Sequence, residues 1–507
     1  MPVIRLQRCS NSEVGIRNSE DTNFPIPTSD FRFPKFTGKD PLSVLQSWLL
    51  NILYTTIVVI GWPWFLWRYF QGKNRRGWSQ KLFGSVDLPP GVNPKGSQNP
   101  KNLIWIHAVS VGEVNLLGSI LQEFANRAPE IKIAISTTTE TGYDLAKSKY
   151  PESYVFFCPF DFTWAIKRVL RRLNPAALVL TELELWPNLI ATADRLNVPV
   201  IVANGRLSEK SAQGYGRLSW LLKSSFKKLS LVLCQTNAYA DRFVKLGCQP
   251  SDVLVTGNVK FDGIQTDRHN EATRALVQVS EIHPSARVFL AGSTQLEEDL
   301  IAAKAFQNLA PKHPELRLVL APRHPQRVGD LVSQFGQLGI ETQLRSELNP
   351  VSNPATAKSS PTDLDGTSVK PVLIIDVIGE LGAWWGRADI AYVGGSMGSR
   401  EGQNMIEPAA YGAPVSFGPR TKNFNDLVNE LLANDAARVV RNQSELTSFV
   451  SQCLDNPEFA KSTGSRAQQV VLAHRGASAK TVDGILNLIL PAQPSSKNAE
   501  RKISDAA

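Results

Sequence analysis

No two of the five cysteines (Cys9, Cys158, Cys234, Cys248 and Cys453) stand in a CxxC pair, and their number is odd. A disulfide framework and a zinc site are therefore both unexpected, and the cysteines read as small apolar fillers in a reducing compartment. The chain also lacks zinc-finger spacing, an RNA-binding aromatic signature and a continuous basic helix. A formal charge of +9 thus points to anionic partners without nucleic acid among them. Neither a P-loop nor a GxGxxG fingerprint is present, which makes ATP and NAD poor candidates. One further absence is local: Pro41 to Trp67 contains no charged side chain.

That uncharged segment is long enough to span a bilayer, which takes about 20 mostly apolar residues. Trp62, Trp64, Trp67 and Tyr69 cluster at its end like an interfacial belt, and Arg68, Lys73, Arg75, Arg76 and Lys81 follow. By the positive-inside rule the bulk of the chain then lies on the cytoplasmic side. Gln46, Asn51, Thr55, Thr56 and Pro63 weaken the hydropathy, so the alternative is a helix lying on the membrane surface. In either case 41–70 is read as a membrane anchor, whose removal should leave the remainder folded. Residues 1–40 and 491–507 read as disordered tails.

At 507 residues the chain is too long for one ordinary core, and 42% hydrophobic residues supply material for two. Short apolar runs alternate with amphipathic stretches from about residue 100. LIWIH (103–107), IKIAIST (131–137), YVFFC (154–158), ALVLTE (177–182), VPVIVAN (198–204) and LVLCQT (231–236) read as strands. After Gly263 the pattern repeats with RVFLAGS (287–293), LRLVLAP (316–322), VLIID (372–376) and IAYVGGS (390–396). This is an α/β chain of two Rossmann-like doubly wound domains, 71–262 and 263–490, with a mobile Ser-, Thr- and Pro-rich insertion at about 347–370. Ligands in such sheets bind beyond the carboxyl ends of the strands, where each of the following motifs falls.

His107-Ala-Val-Ser-Val-Gly-Glu113 follows the first strand and opens a helix. Ser110-x-x-Glu113 is a capping box, so Glu113 reads either as a cap or as a reactive carboxylate. A helix N-terminus weakens a base, so the second role needs partial burial. Glu182 and Glu184 stand together in TELELWPN (181–188), a solvated turn or a pair facing one way if the strand continues. Lys260 in GNVKFD (257–262) lies at the hinge between the domains, as a linker lysine or a cleft residue. Pro322 and Arg323 in APRHP (321–325) form a stiff loop whose guanidinium suits a phosphate. Ile378, Gly379 and Glu380, the Gly394-Gly395-Ser396 turn, and Asn404, Met405, Ile406 and Glu407 offer close backbone approach, helix-start amides and a carboxylate for a ribose. Asp363-Leu-Asp365 looks like a metal-binding DxD but sits inside the insertion, where two solvated aspartates are the simpler reading.

In order and spacing these stretches, together with NGRLSEKS (204–211), AGST (291–294), DVIGELGAWWGRADIAYVGGS (376–396) and GQNMIEPAAYGAPVSFGP (402–419), resemble the 3-deoxy-manno-octulosonic acid (Kdo) transferases. The resemblance runs from about residue 75 to 475. It implies the GT-B architecture, no metal or other cofactor, and transfer of Kdo with inversion from CMP-Kdo to a lipid A precursor at the cell inner membrane. By motif match Glu113 becomes the general base, and Glu184 and Lys260 stabilise the transition state. CMP is held by Pro322, Arg323, Ile378, Gly379, Glu380 and Asn404 to Glu407. Gln295, Ile378, Gln403 and Arg420 depart from the usual His, Met, His and His, which touches donor or acceptor detail and leaves the carboxylates intact. The competing readings are another GT-B glycosyltransferase or nucleotide-sugar epimerase using a UDP-sugar, and a membrane-anchored nucleotide-binding scaffold without activity. Intact Glu113, Glu184 and Lys260 argue against the scaffold.

Overall fold

The computed structural model describes residues 41–70, 76–89, 102–280, 282–348 and 370–490. The two tails, the DxD-like pair and nearly all of the insertion lie outside these residues. Seven parallel strands make the first sheet: β1 (Leu103–His107), β2 (Lys132–Thr137), β3 (Tyr154–Phe157), β4 (Ala177–Thr181), β5 (Val200–Gly205), β6 (Leu229–Cys234) and β7 (Val253–Val255). Their order is β3-β2-β1-β4-β5-β6-β7, so the chain reverses its direction of travel between β1 and β4. The second sheet comprises β8 (Arg287–Thr294), β9 (Leu316–Pro322), β10 (Thr342–Leu344), β11 (Val372–Ile374), β12 (Ile390–Val393), β13 (Val415–Phe417) and β14 (Ala437–Val439). Its order, β10-β11-β9-β8-β12-β13-β14, reverses between β8 and β12.

Continuous apolar runs form these strands because helices cover both faces of each sheet. Trp105, Leu178, Leu180 and Val202 pack to one side of the first sheet, and Ile104, Ile106, Val179 and Ile201 to the other. In the second, Val288, Leu290 and Val393 face one core while Phe289, Leu320 and Tyr392 face the other. The last helix, Ala477–Ile489, falls within the stretch assigned to the second domain but packs on the first sheet. Its Ala477, Val482 and Ile485 complete the core beside Ile104 and Leu233. Asp262 fixes this crossing by accepting from the amides of Gly476 and Ser478, and Phe261 stacks on His474.

The uncharged segment forms one helix, α1 (Pro41–Phe70). Among the described residues no helix is long and apolar enough to cross a membrane, so the spanning form of the anchor finds no support in α1. What the helix does show is an inverted amphipathicity. Ser47, Leu50, Asn51 and Tyr54, at helical spacing, turn toward the first domain. Asn51 bonds to Thr163 and Asn188, and Tyr54 donates to Asp161. Leu45, Trp48, Leu49, Ile52, Leu53, Ile57 and Ile60 point outward, each more than half exposed. Two of the basic residues expected at the bilayer serve the protein instead. Arg76 pairs with Asp144 at 2.6 Å, and Lys81 is buried over the Phe157 ring.

Candidate functional site

The carboxyl ends of β1, β4 and β5 and the turn Val259–Phe261 bring the first group of side chains together, at the reversal point of the first sheet. Glu113, in the first turn of the helix Val111–Arg127, is partly buried. Its Oε2 accepts from the Val109 amide at 2.9 Å and lies 2.5 Å from Thr181 Oγ1, and Ser110 Oγ donates to Oε1 at 3.2 Å. The expected capping box does not form, since the Ser110 hydroxyl turns to the carboxylate and caps no amide, and Glu113 takes the Val109 amide, one residue before the cap. Burial raises the Glu113 carboxyl above the ordinary glutamate value, the charge of Glu182 adds to this, and the Thr181 and Val109 bonds oppose it. The partial burial that a base at a helix start requires is therefore present.

β4 ends at Thr181, and Glu182 takes a left-handed conformation with φ 56°. Strand alternation therefore does not set a shared direction for Glu182 and Glu184, because the strand stops before either. They are neighbours all the same. Burial first, then the charges of Glu113 and Glu182, raise the Glu184 carboxyl. Lys260 Nζ stands 3.7 Å from Glu182 Oε1, a cation beside one carboxylate of the cluster. The turn that carries it is held by Asn258 Oδ1 on the Lys260 amide and by Asn204 Oδ1 on the Val259 amide. Asn204 itself is left-handed, at φ 55°. A strained non-glycine backbone beside clustered carboxylates marks a place where geometry is over-determined for use.

His107 went unremarked as a side chain in the sequence. It is fully buried, and burial lowers its pKa to about 4, so it stays neutral. Nδ1 meets Ser136 Oγ at 2.9 Å, and the ring lies edge-on to Trp186. It braces the end of β1 from within. Only the HAxSxGE spacing hinted at it, since a lone apolar-flanked histidine carries no signal of burial.

The second group lies at the carboxyl ends of β9, β11 and β12. Pro322 pairs with Thr294 at the end of β9, and the Arg323 amide donates to the Thr294 carbonyl, leaving the Arg323 side chain exposed. Ile378 is 83% exposed and Gly379 takes φ 98°, a turn that brings bare backbone to the surface. Glu380 is already engaged in a two-pronged ion pair with Arg345, at 2.9 and 3.0 Å. Asn404 donates to Glu407 at 2.9 Å and accepts from the Ile406 amide, and burial raises the Glu407 carboxyl. Glu407 Oε2 lies 4.0 Å from a Cβ built on Gly382, so the 378–382 and 404–407 loops face each other. Met405 and Ile406 bury their side chains in the core, and only their backbone is left for a ligand.

The Gly394-Gly395-Ser396 turn corrects one expectation. Its amides are occupied by Glu298, a residue the sequence reading passed over. Fully buried, Glu298 accepts from the amides of Gly395, Ser396 and Met397 at 2.7–2.9 Å, from Tyr392 Oη at 3.0 Å and from the Gln295 amide. The turn is a braced wall, not an open phosphate cradle. A Cβ on Gly394 would come within 2.5 Å of Thr294 Cα, which shows how closely β8 and β12 ends approach. An acidic first helical turn is common enough that Glu298 gave no signal. Gln295 caps the same helix, and Gln403 packs over Gly395. Among the described residues no hydrogen bond or ion pair joins this group to the Glu113 group, and no cluster of His, Cys, Asp and Glu is placed to hold a metal ion.

Residues 76–263 match the model of a family described as 3-deoxy-D-manno-octulosonic-acid transferase (kdotransferase). A 3-deoxy-D-manno-octulosonic acid transferase of Haemophilus influenzae is 30% identical over 405 residues, 79% of this chain and 88% of that protein. The Bordetella pertussis protein of the same description is 29% identical over 437 residues, 84% and 95% of the two chains. Among solved structures, a glycosyltransferase from Rickettsia africae aligns with 12% identity and a TM-score of 0.51, covering 78% of this chain and all of that one. A UDP-GlcNAc 2-epimerase from Neisseria meningitidis aligns at 13% and 0.50, covering 76% and 99%. At such identities the structural likeness speaks for the shared two-domain fold alone.

Proposed function

Because the chain belongs to the 3-deoxy-D-manno-octulosonic acid (Kdo) transferase family, and is thus a glycosyltransferase, we propose that it transfers Kdo from CMP-Kdo to a lipid A precursor, lipid IVA, with inversion. The observation that carries this reading is the half-buried Glu113, held by three hydrogen-bond partners in a cluster with Glu182 and Glu184, with Lys260 against Glu182. A sugar hydroxyl must lose its proton as its oxygen bonds to the anomeric carbon of Kdo. Glu113 takes that proton, and its raised pKa makes it a stronger base than an exposed glutamate. On the far side the bond to the CMP phosphate oxygen breaks, and its electron pair leaves with CMP. The exposed Arg323 guanidinium meets that growing charge, and Glu407 with Asn404 suits the ribose hydroxyls. Lys260 offsets the Glu182 carboxylate beside it, and Glu184 supports the charge that develops on the ring.

The acceptor is a lipid, and the outward apolar row of α1 supports a place on the membrane surface. We place the protein at the cytoplasmic face of the cell inner membrane, in lipopolysaccharide core biosynthesis. The direct test is mass spectrometry of the product formed by the purified chain from CMP-Kdo and a defined lipid A precursor. A mass increment of one or more Kdo units is expected. Its absence, with protection from heat by UDP and not by CMP, would favour a UDP-sugar enzyme of the same fold. Arg323→Ala should weaken CMP binding about 10- to 150-fold, the worth of one charge-assisted bond. Unchanged CMP affinity would remove Arg323 from the site.

A further inference from the structure

A cavity of about 520 Å³ opens between α1 and the helices Thr163–Leu173 and Pro187–Arg195. Its polar lining is Ser47, Asn51, Thr55, Thr56, Thr163 and Arg195, and its apolar lining Trp48, Ile52 and Trp164. Arg195 is the one charged residue of the lining. Its Nε donates to the Ala191 carbonyl and one terminal nitrogen to Ser47 Oγ, and it makes no ion pair among the described residues. Neither neighbouring acid forms an ion pair with it among the described residues. Asp161 lies inward, accepting from the Asn188 and Leu189 amides and from Tyr54, and Asp194 is half-buried, its charge felt by both Lys228 and Arg195 without an ion pair to either.

Two surfaces continue from the rim. One is the outward apolar row of α1, on which Trp48 and Ile52 are 66% and 60% exposed. The other is the outer face of the helix Thr163–Leu173, where Trp164, Lys167, Arg168, Arg171 and Arg172 are exposed. None of those four cations forms an ion pair among the described residues. An arginine over a hydroxyl-lined cavity, with apolar side chains on one flank and free cations on the other, complements an amphiphile with an anionic head.

We propose that this cavity binds the phosphate headgroup of an anionic phospholipid, with the acyl chains lying along the outward row of α1. The inference rests on the membrane-surface reading given above and adds a defined lipid site to it. Arg195 forms the charge-assisted bonds to the phosphate, Thr55 and Thr56 are within the same lining, and the 167–172 cations draw the anionic surface in.

The test uses the full-length chain. Equilibrium dialysis measures saturable binding of a short-chain phosphatidylglycerol below its micelle concentration, with short-chain phosphatidylcholine and inorganic phosphate as comparisons. Sedimentation with phosphatidylcholine vesicles, with and without phosphatidylglycerol, measures membrane binding. Because Arg195 also bonds Ser47 on α1, the variant of choice is Thr56→Glu, which sets a carboxylate in the cavity without removing a docking bond. Expected are one phosphatidylglycerol per chain, preference over phosphatidylcholine, weaker competition by phosphate, and about 10- to 150-fold weaker lipid binding in Thr56→Glu. Thr56→Gln should bind like the parent. Equal competition by inorganic phosphate, equal binding of both lipids, or an unaffected Thr56→Glu overturns the headgroup site. If the chain sediments with no vesicle at all, the membrane-surface reading falls as well.

Discussion

Glu113 is at once part of a helix start and the most buried member of a carboxylate cluster, and the two roles make different demands on its proton. Thr181 Oγ1 lies 2.9 Å from the His107 carbonyl and 2.5 Å from Glu113, yet a hydroxyl has one hydrogen to donate. A neutral Glu113 satisfies both, donating to Thr181 while Thr181 donates to the carbonyl. Burial pushes toward that protonated form and outweighs the Thr181 and Val109 bonds to the carboxylate, so the pKa is raised. A base works only when deprotonated. Activity is therefore expected to fall as pH drops, with the acid limb of kcat/KM centred above the ordinary glutamate range. Glu113→Gln keeps an acceptor for the Val109 amide, so fold and CMP binding should persist while turnover drops by about 10²-fold or more. A near-normal rate with an unchanged melting temperature would remove Glu113 from the chemistry. The sequence made Glu113 legible because its spacing serves both a cap and a site, but it could not decide between them. The decision needed Thr181, which is 68 residues away and meets it only across β1 and β4.

The strands that were readable from sequence were those with four or more apolar residues in a row, and β2, which shows through the alternating Ile131, Ile133 and Ile135. The four that escaped, β7, β10, β13 and β14, are three residues long, too short to show a period, and three of them are sheet edges. The element whose reading changed most is α1. Its apolar content was plain in the sequence, but hydropathy does not tell which face a helix turns inward. Here the polar face is inward: Asn51 and Tyr54 supply partners to Thr163, Asn188 and Asp161. Asp161 in turn holds the start of the helix Pro187–Arg195, just after the TELELW turn. Burial pushes Asp161 up to about 7, and the Tyr54 hydroxyl is one of three donors that offset this. Removing residues 1–70 is therefore expected to destabilise the first domain. It strips several hydrogen bonds worth about 0.5–1.5 kcal/mol each, and the melting temperature should fall by several degrees. Asn51→Ala in the full chain should show a smaller drop in the same direction. A truncated chain as stable as the full one would show that α1 is a passenger on the first domain.

Across the whole molecule, the two sheets are tied at one side by the chain itself. Asp262 holds the amides of Gly476 and Ser478, Phe261 stacks on His474, and the last helix sits on the first sheet. These ties lie within a few residues of Lys260, so the hinge and the carboxylate cluster share one turn. Away from them, Tyr239 Oη on the helix Asn237–Leu246 donates to Asp426 Oδ2 on the helix Asn425–Ala433 at 3.1 Å, joining one domain to the other. In the proposed reaction the donor is held on the second sheet and the carboxylate cluster acts on the first, so that chemistry requires the domains to approach, and a bond made between them favours the approached form. A ligand that needs that form binds with an affinity reduced by the fraction of molecules not in it. Tyr239→Phe removes the hydroxyl and keeps the ring, which is nearly buried in the first core. One hydrogen bond of about 1 kcal/mol corresponds to about a fivefold shift in that equilibrium. The expected result is a KM for the nucleotide-sugar donor raised by up to about that factor, with kcat reduced less and the melting temperature nearly unchanged. Asp426→Asn, which leaves an acceptor for the tyrosine, should fall between the parent and Tyr239→Phe. Kinetics identical to the parent in both variants would mean that the bond merely accompanies domain approach, and a large loss of melting temperature would mean that it serves the fold.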